Sequence, residues 1–356
     1  MSRHGHGLVL GKFYPPHAGH HHLVRTAAER CERLTVLVCA SSVESVPLAD
    51  RVAWMREVHP GVRVVGAVDD TPVDLHDPAV WDAHMAVFTT AVPEPVDAVY
   101  TSEGYGDELA RRFGAVHVSV DPGRTAFPVS GTAVRGDLAG RWDHLAAPVR
   151  AALTRRVVVL GAESTGTTTL ALALAEHYRG RGGVWARTRY VAEYGREFSE
   201  DKLAALRARR PGADWADVSF ASEEFPVIAR EQAAREEAAA RDGSPLLVCD
   251  TDAFATTVWH ERYLAGPYPA APEPRRQHLW ILTDHHGVAF EDDGLRDGEH
   301  LRPWMTGRFR EELARTGRPA VEVTGPHERR LAAAVEAVDA LLADGLRFAD
   351  PLPERR

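Results

Sequence analysis

Val157–Ala171 reads VVVLGAESTGTTTLA: an apolar strand, a glycine-rich turn and the start of a helix. A loop that cradles phosphate follows the pattern G-x-x-x-x-G-K-[ST], with backbone N–H groups turned toward the anion. Gly161, Gly166 and Thr168 fall on its fixed positions, Glu163, Ser164 and Thr165 fill the turn, and Thr169 continues into the helix. Thr167 stands where the lysine belongs. The stretch therefore predicts an α/β unit that binds a phosphate chain but lacks one charge.

Alternation continues on both sides of this loop. Downstream, strand-like runs GVWART, PLLVCD, HLWILT and AVEVTG are spaced by helical patterns at Phe220–Arg241, Asp252–Leu264, 302–315 and 327–343. Arg207–Asp217 and LAGPYPAAPEPRR read as loops from their Arg, Pro and Gly content. Upstream, GLVLGKF, LTVLVCA, VRVVGAV, VDAVYTS and AVHVSV alternate with helical patterns over Ala18–Arg33, Leu48–Val58, Pro78–Thr90 and Glu103–Phe113. Each half implies a doubly wound parallel sheet, with ligands beyond the carboxyl ends of the strands. A short helix ending near 154 marks the boundary, giving domains 1–154 and 155–356.

At 356 residues the chain exceeds the usual limit for one hydrophobic core, which agrees with two domains. No apolar run approaches the ~20 residues of a membrane span, and the start MSRHGHG lacks the apolar segment of a secretory signal. A soluble, cytoplasmic protein is expected. The net charge of -9 supplies no field for gathering nucleic acid, so no DNA partner is expected. Cys31, Cys39 and Cys249 are odd in number and read as buried reduced thiols. Of 42 basic residues only Lys12 and Lys202 are lysine, so a lysine at a motif position is informative.

Lys12 is in such a position, within GKFYPPHAGHHHLV after the first strand. Gly11 permits a turn, Phe13 follows Lys12, and His17 and His20 lie three apart where a helix begins, so both imidazoles share a side. The dipole and free N–H groups there favour an anion. FPVSGTAVRGD lies about 110 residues on. It offers the hydroxyls of Ser130 and Thr132, close approach at Gly131, and a guanidinium at Arg135 that can fork onto phosphate.

This pairing resembles the nucleotidylyltransferase superfamily, marked by H-x-G-H after the first strand and an S-x-T-x-x-R run after the last. The domain order, with LGKFYPPHAGH, YTSEGYG, PVSGTAVR, LGAESTG, YVAEYGREF, CDTD and DDGLR, resembles the NadR-type family of bifunctional nicotinamide-nucleotide adenylyltransferase and ribosylnicotinamide kinase. The resemblance implies a Rossmann-like nucleotidylyltransferase domain followed by a P-loop kinase-like domain. It implies NAD formation from nicotinamide mononucleotide and ATP, phosphorylation of nicotinamide riboside, and ATP and Mg²⁺ as cofactors. His17, His20, Lys12 and Arg135 would hold the charge that develops in adenylyl transfer. Trp81 and Tyr105 are candidates either to stack on a base or nicotinamide ring or to pack the core.

In the second domain Thr168 and Asp250 would hold Mg²⁺. Glu193 is the candidate general base, with Asp250 as runner-up, and Arg296 and Arg302 lie in a lid-like segment. Losing one preorganised donor costs ~10²–10³ in rate, so two readings of Thr167 compete. Either another cation, such as Arg296 or Arg196, restores phosphoryl transfer, or the domain binds nucleotide as a sensor. A different phosphorylated acceptor, such as nicotinic acid mononucleotide or phosphopantetheine, is the rival for the first domain. Seven residues precede Leu8, so the helix-turn-helix of the family's larger forms is not expected here. A homo-oligomer is left open.

Overall fold

The computed structural model describes residues 3–266, 277–291 and 298–355. The chain divides into two compact units: Met1–Val149 with Leu346–Arg356, and Arg150–Gly345. The division falls a few residues before the expected boundary at 154. The C-terminal segment, expected in the second domain, joins the first unit.

In the first unit β1 (His4–Gly11), β2 (Cys31–Ala40), β3 (Arg63–Val68), β5 (Ala98–Thr101) and β6 (Val116–Ser119) form a sheet in the order β3-β2-β1-β5-β6. Every pairing is parallel. Alternate residues of β1 serve opposite faces, as a strand requires. Val9 packs with Val36, Val38 and Tyr100, while Leu8 packs with Leu37, Trp81 and Phe88. Both faces are therefore covered, which explains the nearly unbroken apolar runs. A further short pair joins β4 (Val73–Asp74) to β12 (Glu354–Arg355) of the C-terminal segment.

The second unit repeats the plan with another strand order. β7 (Arg155–Gly161), β8 (Arg189–Val191), β9 (Leu246–Asp250), β10 (Leu279–Thr283) and β11 (Ala320–Val323) are arranged β11-β10-β7-β9-β8, again all parallel. The α/β expectation with parallel sheets holds in both units. Two local expectations fail. GVWART is a 3-10 helix, Gly183–Arg187, because Gly182 and Gly183 take left-handed φ of 71° and 57° and turn the chain before β8 begins. Part of the expected loop after 207 belongs to the helix Tyr194–Arg209, whose charged outer surface hides its period in the sequence.

The three cysteines are buried and free, as expected. Among the described residues no helix is long and apolar enough to cross a membrane.

Candidate active sites

In the first unit the strand order reverses beside β1, and a cleft opens past the ends of β1 and β5. Gly11, Lys12, Phe13, His17 and His20 line it from one loop, Ser130 and Gly131 from another. His17 caps the helix Ala18–Arg30, and its ring stacks on His20 at 3.7 Å between centroids. Gly19 makes room for this, since a Cβ there would lie 3.2 Å from the His17 ring.

The backbone N–H of His17 donates to His20 Nδ1 at 3.3 Å, so the proton of the neutral His20 ring sits on Nε2. Burial, then the charges of Arg124 and His144, pushes His17 down to about 3. Burial, then His17, His21 and Arg124, holds His20 well below its ordinary range. Both imidazoles are neutral at pH 7. Nδ1 of His17 is buried without a hydrogen-bond partner among the described residues, an atom that an incoming polar ligand would satisfy.

Lys12 also faces the cleft, but its Nζ pairs with Glu354 Oε1 at 2.7 Å. The C-terminal segment is held there by several contacts. The Tyr14 hydroxyl donates to the Ala349 carbonyl at 2.9 Å, and Leu352 and Glu354 form part of the cleft wall. Arg51, fully buried, fixes the loop from beneath: it pairs with Glu44 at 2.6 Å and donates to the Lys12 carbonyl at 3.0 Å.

Ser130 caps the short helix Gly131–Gly136, accepting from the Ala133 N–H at 3.1 Å. Arg135 donates to the Tyr14 carbonyl at 2.9 Å and to the Thr132 hydroxyl at 3.3 Å. Arg135 thus ties its helix to the Tyr14 loop, and neither Arg135 nor Thr132 is among the residues that line the cleft. Trp81 is buried in the core with its indole N–H on the Leu75 carbonyl at 3.1 Å, yet one edge reaches the cleft beside Tyr105.

The sequence reading missed a pair in this wall, His84 and Asp69, joined at 2.5 Å. Burial raises Asp69, but the hydrogen bonds from His84 and Thr71 outweigh it and hold the carboxyl below its ordinary value. The two residues come from different elements, and no local motif announces them.

The second cleft surrounds the glycine loop. Gly161 is required there: a Cβ would fall 2.2 Å from Thr283 Oγ1 and 2.6 Å from Thr165 Oγ1. Gly166 supplies the left-handed turn, φ 83°, from which the helix Thr167–Arg179 starts. Glu163, Ser164, Thr167 and Thr168 face the cleft with Glu193 and Asp250. Thr165 is buried, its hydroxyl on the Ala162 carbonyl at 2.7 Å, while Thr169 faces a neighbouring groove.

Asp250 ends β9 with Oδ2 accepting from the Thr168 hydroxyl at 2.6 Å and from the Tyr190 hydroxyl at 3.1 Å. Burial raises its pKa; the hydrogen bonds from Thr168, Tyr190 and Thr167 and the charge of Arg196 oppose this without cancelling it. Asp252, also unassigned from sequence, lies in the same wall and is raised to about 6 by burial. Its oxygens accept from the Trp280 indole and the Ala255 N–H, which gives it a structural task.

Arg296 lies outside the described residues. Arg302 does not belong to a lid: it is buried, with Nη2 donating to the carbonyls of His285 and Val288 at 2.9 and 2.8 Å. Carbonyl oxygens around the site draw its guanidinium inward.

Two open, parallel α/β sheets in series, the second built around a phosphate-cradling loop, define a two-unit nucleotide-type protein whose second half is P-loop-like. A family model described as an AAA domain matches residues 156–330. The chain is homologous to the NadR proteins. It is 25% identical over 312 residues to the trifunctional NAD biosynthesis/regulator protein NadR of Escherichia coli, covering 82% of this chain and 71% of that one. The Salmonella typhimurium protein of the same description matches equally, at 25% over 310 residues. Crystal structures of NadR in complex with NR, and in complex with NAD and AMP-PNP, share the fold. Their TM-scores are 0.68 and 0.65 at 20% identity, each covering 96% of both chains.

Proposed function

We propose that the first unit transfers the adenylyl group of ATP to nicotinamide mononucleotide, giving NAD and pyrophosphate, and that the second phosphorylates nicotinamide riboside with ATP. The observation that carries this reading is the stacked, neutral His17–His20 pair facing Ser130 and Gly131 across one cleft, in a chain homologous to NadR.

In the first cleft an oxygen of the mononucleotide phosphate attacks the α-phosphorus, and the bond to the β-phosphate oxygen breaks as pyrophosphate leaves. A neutral imidazole donates its N–H without carrying a proton to the phosphate. His20 Nε2–H and the His17 ring are therefore donors to the oxygens on which charge grows. Lys12 adds a full charge once the triphosphate displaces Glu354 from it. Arg135 acts by holding the Tyr14 loop in place.

In the second cleft the N–H groups of the glycine loop receive the phosphates, the riboside hydroxyl attacks the γ-phosphorus as Glu193 takes its proton, and the bond to the bridging oxygen breaks as ADP leaves. The Thr168 hydroxyl and Asp250 carboxylate are adjacent hard oxygen donors at 2.6 Å, a set that fits Mg²⁺, which when bound neutralises phosphate charge. A second reading, supported by Thr167, is that this unit binds ATP as a sensor without turnover.

The test is the purified chain with ATP and Mg²⁺, offered each acceptor in turn. The proposal expects NAD from the mononucleotide and mononucleotide from the riboside. No NAD above background sinks the first assignment; ATP binding without riboside phosphorylation moves the second unit to the sensor reading.

A further inference from the structure

Thr167 removes one charge from the loop itself; Arg196 lines the cleft beside Glu193 and Asp250, and further positive charge lies against the carbonyl oxygens of the loop, beside the groove that Thr169 faces. Arg330, on the helix His327–Gly345, is buried and donates from Nη1 to the Thr165 carbonyl at 2.8 Å. Its other nitrogens reach the Asp284 carbonyl at 2.9 Å and the Gly325 carbonyl at 2.7 Å. Arg302, also buried, approaches the Ser164 carbonyl at 3.4 Å. Glu163, the loop's own carboxylate, is paired with Arg262, so its negative charge is compensated locally.

We propose that Arg330, assisted by Arg302, is a positioning residue that supplies through the backbone the charge that Thr167 does not supply from the front. This rests on the reading of the second cleft as an ATP site.

Two physical steps support it. The Thr165 carbonyl shares its peptide unit with the Gly166 N–H, and the Ser164 carbonyl shares one with the Thr165 N–H. A guanidinium on the carbonyl oxygen polarises the unit and makes the N–H on its other end a stronger donor. Arginine also stays charged when buried, where the low dielectric strengthens its action on an anion across the loop. Burial lowers the Arg330 pKa, yet a guanidinium retains its proton at neutral pH. A structural role alone predicts none of the phosphate-number dependence that a charge on the loop's carbonyl oxygens requires.

The experiment reads the loop directly. Amide exchange of the peptide spanning 161–170, measured by mass spectrometry on the full chain, is titrated with a non-hydrolysable ATP analogue and separately with AMP. Absence of protection by the analogue in the unaltered chain overturns the ATP-site reading, and this inference with it. With protection established, Arg330→Met is expected to weaken the apparent affinity for the analogue by about tenfold, the worth of one charge-assisted hydrogen bond. Its effect on AMP should be small, and Arg330→Lys should keep most of the affinity. Adding Thr167→Lys to Arg330→Met should restore binding of the analogue. Equal losses for the analogue and AMP, or no restoration by the added lysine, overturn the inference. Should Arg330→Met fail to fold, Arg302→Met with and without Thr167→Lys carries the same expectations and the same contrary results.

Discussion

On the proposed function the two clefts meet one task, holding a polyphosphate at the carboxyl ends of a parallel sheet, in different ways. The first places side chains in front: neutral His17 and His20 as donors, with Lys12 at the edge in an ion pair with Glu354. The second presents the backbone between Gly161 and Thr168, with Arg196 in the cleft wall and the guanidinium groups of Arg330 and Arg302 on the loop's carbonyl oxygens. If both clefts bind phosphate as proposed, the number of cations in a motif is a poor measure of that binding. What counts is where donors point and what polarises them. Side chains in front are also exposed to competition from the chain itself, as the Lys12–Glu354 pair shows.

The largest expected effect separates the two sites. His20→Ala should lower NAD formation by ~10²–10³, the usual worth of a preorganised donor, and leave riboside phosphorylation unchanged. An equal loss in both activities would break the comparison, because it would mean that the two chemistries share a cleft. Asp250→Asn is the mirror experiment. It removes the carboxylate that gathers the Thr168 and Tyr190 hydroxyls and should cost the kinase about 10² while sparing adenylyl transfer.

A pH experiment sharpens the contrast further, since burial lowers three histidines in the first unit and raises two carboxyls in the second. Burial pushes His17 and His21 down to about 3 and His59 to about 4 in the folded first unit, from about 6.5 unfolded. The unfolded chain then binds more protons below that value, so this unit loses stability as pH falls through 6.5. The limiting slope is about 1.4 kcal/mol per pH unit for each displaced proton. In the second unit burial raises Glu236 to about 8 and Asp252 to about 6. Their contribution is fully present below the ordinary carboxylate range and is lost as pH rises through those values. Unit-resolved exchange at pH 7.5 and 5.5 should show the first unit loosening and the second tightening on acidification; parallel responses would contradict the assignment of these groups.

The smallest effect concerns the C-terminal segment. A partly exposed ion pair is worth up to about 1 kcal/mol, so Glu354→Gln should lower the KM for ATP in adenylyl transfer by a few fold at most. A rise in KM would mean that Glu354 helps to place Lys12 rather than competing for it.

How much of this was legible in the sequence follows from the range of the interactions. The glycine loop and the HAGH turn are local: spacing alone brings Gly161, Gly166 and Thr168, or His17 and His20, into register. The sheet alternation was legible for the same reason, apart from the strand misplaced by Gly182 and Gly183. What escaped depends on distant partners. Arg330 meets Thr165 across 165 residues, Glu354 meets Lys12 across 342, and neither sits in a pattern. Arg135 and Arg302 were visible as cations but not their targets, because backbone carbonyls that accept from a guanidinium leave no trace in side-chain spacing. The Asp69–His84 pair joins a loop to a helix and was hidden likewise.

On the proposed function, one chain acts on two different phosphorus atoms of ATP at two sites. The direct measurement uses ATP labelled at the α- or the γ-phosphorus. With nicotinamide mononucleotide the account predicts α-label in the dinucleotide and γ-label in pyrophosphate; with the riboside it predicts γ-label in the mononucleotide. γ-Label appearing in the dinucleotide, or no transfer of either label to either acceptor, would contradict it.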